Sequence, residues 1–439
     1  MPQAPALKRE LGLRDLVLFN FAAVAGIRWL AAAAHAGPGS LSLWVLAAAL
    51  FFVPSALAVA TLSRRFPEQG GIYAWTRHAF GDWHAFLCGW CYWLSNLFYF
   101  PSLVLTGVSM GASVLGVEER PVRIVAISLG ILWIALLANL FGLHLGKWLG
   151  NLGGLSAGCA GALLILLGLW IWIRSGSATP LGLIPAFDWD KLNFWSQIAF
   201  AFGGLELSAI LAGEIRDPQR AISRAAWISG LGIAGFYTLG TLAMLVLLPS
   251  DKISILTGLV QAASAAGSRL GIAWLPPALG ALICASVTGQ LSAWIAGSAR
   301  IPYVIGIDRY FPPAFARLHP RWGTPHISIL VQGAASTVFL LALQAGENLR
   351  IGYQLLVDMT VITYFIPFLY LFASAWKFGR RGSAASGLFV TAAAILLSLI
   401  PPPDAASVGL FELKLAGGSA LLVLAGRFWF QTARQSRPG

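Results

Sequence analysis

Apolar residues in this chain neither alternate nor keep to one helical face. They come in long runs separated by short polar connections. A helix needs about 20 apolar residues to cross the hydrocarbon core of a bilayer. By that rule twelve runs qualify, at about 15–36, 40–62, 83–114, 121–141, 149–174, 194–215, 222–248, 272–300, 325–344, 351–375, 385–402 and 409–430. The third is long enough to tilt steeply or to protrude. Segment 250–270 is only moderately apolar and carries Asp251 and Lys252, so it predicts an extracellular loop with a short surface or re-entrant helix. Residues 301–321 hold Pro302, Pro312, Pro313 and Pro320 among several charges and predict a connection with some short helix. The pattern predicts an all-α polytopic membrane protein without a separate soluble domain. It divides into a polar N-terminal segment 1–14, a helical core 15–375, two further helices over 385–430 and a short polar tail 431–439. The first run is too long for a signal-peptide core, so no cleaved leader is expected.

Composition agrees: 58% of the 439 residues are hydrophobic and 10% charged, against about 25% charged in a soluble domain. The net charge of +12 would suit nucleic acid if it formed a patch, but the basic residues sit in short loops. With the N-terminus inside, 20 of the 29 Lys and Arg fall in cytoplasmic segments and eight outside, with Arg28 inside the first run. That bias places both termini in the cytoplasm of a multi-pass cell-membrane protein. The charge then orients the chain in its lipid bilayer and calls for no nucleic-acid partner. Cys88, Cys91, Cys159 and Cys284 all lie in apolar runs. The C-x-x-C of the first two has no second ligand pair, so packing is expected and no metal site. There is no G-x-x-x-x-G-K-[ST] and no H-E-x-x-H, so neither ATP-driven work nor membrane-embedded catalysis is expected. A channel would want rings of charge or a repeated filter, and neither is visible.

The run from Trp195 to Arg216 breaks the apolar rule: it carries Gly203-Gly204 and Glu206 in its middle. Each glycine weakens a helix by roughly 1 kcal/mol, and a carboxylate at membrane depth costs at least a few kcal/mol unless partnered. The first run has a matching defect, Gly26 beside Arg28. Interrupted segments at corresponding positions of two halves point to an inverted-repeat transporter, with the repeats over about 15–174 and 194–375. Unwound helices leave amides at half-helix N-termini that attract a carboxylate, and carbonyls at C-termini that attract an ammonium. A zwitterionic α-amino acid matches both ends. Each charge also has a structural reading: carbonyls could clamp Arg28, Glu206 could hold broken backbone, and Asp358, near Gln354 and Thr360, could be a helix-packing group. Arg28 and Glu206 have opposite signs in the same region, which raises the question of whether they pair.

Three loop motifs make the pattern specific. Phe66–Gly81 (F-P-E-Q-G-G-I-Y-A-W-T-R-H-A-F-G), Phe200–Ala221 (F-A-F-G-G-L-E-L-S-A-I-L-A-G-E-I-R-D-P-Q-R-A) and Arg300–Pro325, with D-R-Y-F-P-P-A-F, H-P-R and G-T-P, occur in order over about the first 375 residues. They resemble segments of the amino acid–polyamine–organocation (APC) permeases. That resemblance implies a LeuT-like 5+5 inverted repeat with 12 transmembrane helices, broken helices 1 and 6, and helices 11 and 12 peripheral. It implies secondary transport, by symport or exchange, of amino acids or related amines by alternating access, without enzymatic chemistry or a cofactor. A proton or a sodium ion would be the coupling ion.

The resemblance places the substrate carboxylate at Val24, Ala25, Gly26 and Ile27, and the amino group around Phe202, Gly203 and Gly204. Many members have Gly-(Ser/Thr)-Gly-Ile at the first break; here Val24-Ala25 replaces the first two residues, and Arg28 stands where an apolar residue is usual. Arg28 is therefore a candidate for carboxylate binding, or a fixed charge that partly replaces a coupling cation. Tyr92, Asn96 and Tyr99 share a helical face by their i, i+4, i+7 spacing, a candidate for substrate contact or for aromatic packing between helices, and Gln290 and Trp294 make a similar, weaker pair. Glu206, Glu214 and Asp358 are coupling or gating candidates. Glu214, Arg216 and Asp217, with Arg14 and Asp15, are candidates for inner-gate ion pairs. Leu155–Trp172 contains no lysine of the kind some proton-coupled relatives carry, and Ser286, Thr288 and Ser292 are weak sodium candidates. The competing reading is a sodium-coupled LeuT-fold symporter of another organic solute, such as a nucleobase.

Overall fold

A computed structural model of the chain describes residues 9–116, 120–182, 184, 192–344, 349–401 and 408–435. Lys8, Lys191 and Arg437 of the charge count, and the outer parts of the two terminal segments, lie outside the described residues. Among those described, the backbone is helical apart from connections and one isolated bridge, Leu11 to Ile215. In chain order the helices are α1 (Leu13–Val24), α2 (Arg28–His35), α3 (Ser40–Ala47), α4 (Val53–Arg65), α5 (Ile72–Phe80), α6 (Asp82–Val114), α7 (Pro121–Leu140), α8 (Leu143–Ser175), α9 (Leu192–Ala201), α10 (Leu205–Ile210), α11 (Pro218–Leu247), α12 (Gly258–Leu270), α13 (Leu275–Ser298), α14 (Arg300–Ile307), α15 (His326–Gln344), α16 (Leu349–Lys377), α17 (Arg381–Ser398), α18 (Val408–Glu412) and α19 (Gly418–Gln435).

Among the described residues, nine continuous helical stretches are long and apolar enough to cross a membrane, and α1 with α2, bent by 41° at their break, makes a tenth. These ten answer ten of the twelve apolar runs. The run 194–215 is divided among α9, α10 and a 3-10 turn at Ala212–Glu214, each too short to cross alone. The run 325–344 is α15, whose apolar part, His326–Ala342, is also short. The chain is a polytopic α-helical membrane protein. Leu166, Ile173, Leu231, Phe389 and Leu421 are exposed on its outer surface, a pattern that lipid stabilises and water does not.

Burial sorts the helices. The most apolar stretches of α6 and α16 are 83% buried, against 28% in α7 and α17, so α6 and α16 form the centre. The expected loop segment 66–81 contains α5, which hydropathy misses because it is amphipathic: Ile72, Tyr73, Trp75 and Ala79 are buried while Arg77 and His78 face outward. Segment 250–270 contains α12, and 301–321 contains all but the first residue of α14 and a 3-10 turn at Pro313–Ala316. A π-helical turn at Ala48–Phe52 joins α3 to α4. Pro54 follows it and has no N–H to give to the carbonyl of Leu50. That carbonyl accepts instead from the Ser386 hydroxyl of α17.

Candidate functional site

The first run unwinds over Ala25–Ile27, between α1 and α2. The carbonyls exposed at the end of α1 have partners from distant helices. Ala23 O accepts from Gln290 Nε2 at 3.0 Å and from Trp294 Nε1 at 2.8 Å, both on α13. Tyr237, midway along α11, accepts from the Gly26 N–H at 3.0 Å and lies within donating distance of Val24 O and Ala201 O, the latter at 3.0 Å. One phenol carries one proton, so it serves one of these carbonyls at a time. Ala201 ends α9, so this hydroxyl touches both interruptions. It is held from behind by Trp44, whose ring stacks on it at 4.3 Å and donates to Thr241 Oγ1. The amides of Trp29 and Leu30 turn back to Gly26 O and Ile27 O. The amide of Ile27 has no acceptor among the described residues, which leaves a free donor at the positive end of α2.

The second interruption spans Phe202–Gly204, between α9 and α10. Gly204 has φ 123°, a conformation side chains resist. A Cβ on Gly203 would sit 2.5–2.9 Å from the Tyr364 ring. Glu206 lies in the first turn of α10, 1% exposed. Its Oε1 accepts from Tyr92 OH at 2.9 Å and Tyr364 OH at 2.6 Å, and its Oε2 accepts from the Gly204 N–H at 3.1 Å. The carboxylate thus caps α10 and fastens it to α6 and α16.

Glu206 does not pair with Arg28. The Arg28 guanidinium, 1% exposed, lies over the rings of Trp29 at 4.3 Å, Tyr99 at 5.0 Å and Tyr353 at 5.9 Å, and its Nη1 donates to Ser102 Oγ at 3.2 Å. Rings link it to the breaks: Tyr99 lies 5.1 Å from Trp294 and 6.0 Å from Phe200, and Phe200 lies 5.6 Å from Trp29 and 5.2 Å from Tyr364.

Of the remaining candidates, Val24, Ala25, Ile27, Phe202, Gly203 and Gly204 are buried together around the breaks, where a Cβ on Gly204 would lie 3.0 Å from Val24 Cγ2. Asn96 turns its amide to Tyr92 O at 2.8 Å, leaving Oδ1 without a partner. Asp358 accepts from Gln354 at 3.0 and 3.1 Å. Ser292 is engaged by Asn139 and Gly146 O, Thr288 bonds back to Cys284 O, and Ser286 is buried.

At the Glu214 end the layout differs from the ion pairs expected there. Glu214 takes Arg300, with Nε and Nη2 at 2.8 and 3.1 Å from its two oxygens and both side chains buried. Asp15 pairs with Lys147 at 2.7 Å. Backbone bonds from Glu10 and Leu11 to Glu214 O, and from Arg216 to Leu11 O, lace the N-terminal segment across α10's end. Gln69 accepts from the Gly213 amide at 2.7 Å, and Gly70 N donates to Ile210 O, bringing α5 against the same end. There Tyr73 donates to Asp308 at 2.7 Å, and Arg77 bridges Asp308 and Asp82. Burial, reinforced by Asp308, pushes the Tyr73 phenol far above its ordinary range. Burial works against the charge on Arg77, but the two carboxylates outweigh it and raise its pKa.

Tyr237, Tyr364, Arg300 and Ser102 are absent from the sequence-level candidates. A phenol midway along an apolar run was the available signal, since a buried O–H must find an acceptor.

Residues 11–401 match the profile of a family described as amino acid permease. The chain belongs to this family. The permease is 28% identical to an uncharacterized transporter of Legionella pneumophila, over 95% of each chain. It is 24% identical to the serine/threonine exchanger SteT of Bacillus subtilis, over 83% of each chain. It is 22% identical to a protein of Lactococcus lactis named "Probable agmatine/putrescine antiporter AguD", over 84% of this chain and 80% of that one. Members of the family are membrane transporters, not enzymes, so the permease is a transporter whose relatives handle amino acids or amines.

Proposed function

We propose that this permease is a secondary active transporter that carries amino acids or related amines across the cytoplasmic membrane by alternating access, as a symporter or an exchanger. The observation that carries the reading is the pair of helix interruptions held face to face by Tyr237. The free amide of Ile27 suits a carboxylate, and carbonyl ends such as Ala201 O suit an ammonium. In this reading the chain is a 12-helix, LeuT-like 5+5 inverted repeat with repeats at about 15–174 and 194–375 and peripheral helices over 385–430, both termini cytoplasmic. Val24–Ile27, Tyr92, Asn96 and Phe202–Gly204 line the substrate. Glu206 ties α10 to α6 and α16, so its protonation or release moves the gate, and Glu214 closes the cytoplasmic side. A proton or a sodium ion supplies any coupling. Ser286, Thr288 and Ser292 remain candidates for sodium, with Ser292's oxygen already shared by Asn139 and Gly146.

The test is uptake of radiolabelled amino acids and amines into proteoliposomes. Saturable uptake that accelerates when the same solute is loaded on the far side is expected. Flux that rises linearly with concentration and ignores the far side would overturn the carrier reading.

A further inference from the structure

Arg28 is a buried cation that no acidic side chain neutralises among the described residues; Ser102 and three aromatic faces are its contacts. Such a charge is costly at membrane depth and marks a functional group. Its unused atoms are specific. Nη1 is taken by Ser102, whereas Nε and Nη2 have no hydrogen-bond partner. These two nitrogens form one edge of the guanidinium, and their parallel N–H bonds match the two oxygens of a carboxylate. The molecule contains its own comparison. Arg300, equally buried, uses the same edge to hold Glu214, Nε at 2.8 Å and Nη2 at 3.1 Å, while its Nη1 is taken by Ala296 O. Arg28 has the same arrangement of its third nitrogen and lacks only the acid. The unpaired amide of Ile27 adds a donor on the same segment of backbone.

From this geometry we infer that the Nε/Nη2 edge of Arg28 is a carboxylate-binding element, and that the permease takes carboxylate-bearing amino acids and rejects amines that lack the acid group. The inference rests on the transport reading and narrows its substrate class. A diamine would bring positive charge to a buried guanidinium that already lacks a counter-charge, in a site where repulsion is little screened. An amino acid supplies the missing acid and leaves its ammonium for the carbonyl ends of the breaks. Arg28 thereby separates two chemistries that occur among the relatives' names, a serine/threonine exchanger and an agmatine/putrescine antiporter.

The experiment compares each amino acid with its own decarboxylation product on the purified full chain: serine with ethanolamine, arginine with agmatine, ornithine with putrescine. Thermal shift reads binding and proteoliposome uptake reads transport. In the unsubstituted protein the acid of a bound pair is expected to bind about tenfold or more tightly than its amine, the scale of a charge-assisted bidentate contact. Arg28→Met is expected to erase that preference without lowering the melting temperature of the ligand-free protein, because it replaces an unpaired buried charge with an apolar chain. Arg28→Lys, which keeps the charge but not the two-donor edge, is expected to fall between. Amines that bind as tightly as their acids would overturn the inference and leave the transport reading standing; so would stabilisation by chloride with none by any amino acid, provided uptake persists. Absence of both binding and uptake for every amino acid and amine would take down the transport reading and this inference with it. The comparison in the unsubstituted protein decides the matter even if a variant fails to fold.

Discussion

The hydroxyl of Tyr237 meets Gly26 N–H and Val24 O on one interrupted helix and Ala201 O on the other. A buried phenol in such a position does two jobs. It satisfies backbone groups that unwinding has stripped of partners, and it fixes the distance between the two breaks. Removing it leaves those groups unpaired in a place without water, at a cost of about 1–3 kcal/mol. Tyr237→Phe is therefore expected to lower the melting temperature and to cut uptake sharply. Wild-type values for both would show that the breaks hold their spacing without this contact. The segments Val24–Ile27 and Phe202–Gly204 were legible in the sequence because glycine and charge are conspicuous in an apolar run. Tyr237 was not, because a tyrosine there looks like one more large side chain until its acceptors are seen.

Along the element formed by α9, α10 and the 3-10 turn to Glu214, polar contacts sit at both ends of the short helix. Glu206 caps its start and reaches α6 and α16; Glu214 closes its far end against Arg300. Both side chains of the Glu214–Arg300 pair are nearly inaccessible, at 4% and 2%. Breaking a buried pair by removing one partner costs about 3–5 kcal/mol, since the remaining charge is stranded. Arg300→Met is expected to destabilise the protein by that amount in a thermal or denaturant melt. The double variant Arg300→Met with Glu214→Gln is expected to recover part of the loss. Equal loss in single and double variants would mean that Arg300 acts through packing alone. The partner of Glu214 was hidden because Arg300 lies 86 positions away, whereas charges near it in the chain, such as Arg216, were the visible choices.

At the scale of the whole molecule, the proposed carrier has closed contacts on both sides of its breaks. On the halves of the broken helices away from Glu214, the Phe200 ring packs against those of Trp29 and Tyr99. The Glu214 end, with Leu11, Gln69 and Arg300, lies on the other side. Transport then requires each set to open in turn, and the orientation of the chain says which faces the cytoplasm. The loop charges predict that exposed Lys252 is extracellular and exposed Arg317 cytoplasmic. In intact cells a membrane-impermeant maleimide is expected to label Lys252→Cys above the signal of the unsubstituted chain, and Arg317→Cys only after permeabilisation. The reverse pattern would invert the molecule and move Glu214 to the outer gate.

Hydropathy by itself determined that this chain lives in a membrane, roughly where its helices run, and where two of them fail to run straight. Those properties are local: a run of apolar residues, a glycine pair or a charge at membrane depth constrains the chain wherever it ends up. Tertiary structure alone decided what each polar group meets. Glu206 lies 114 positions from Tyr92 and 158 from Tyr364, and these contacts depend on how three helices cross. The same crossing keeps Glu206 away from Arg28, although both were marked as intramembrane charges of opposite sign. In a medium that offers polar groups no water, side-chain partners are set by the geometry of packing, which spacing along the chain does not encode.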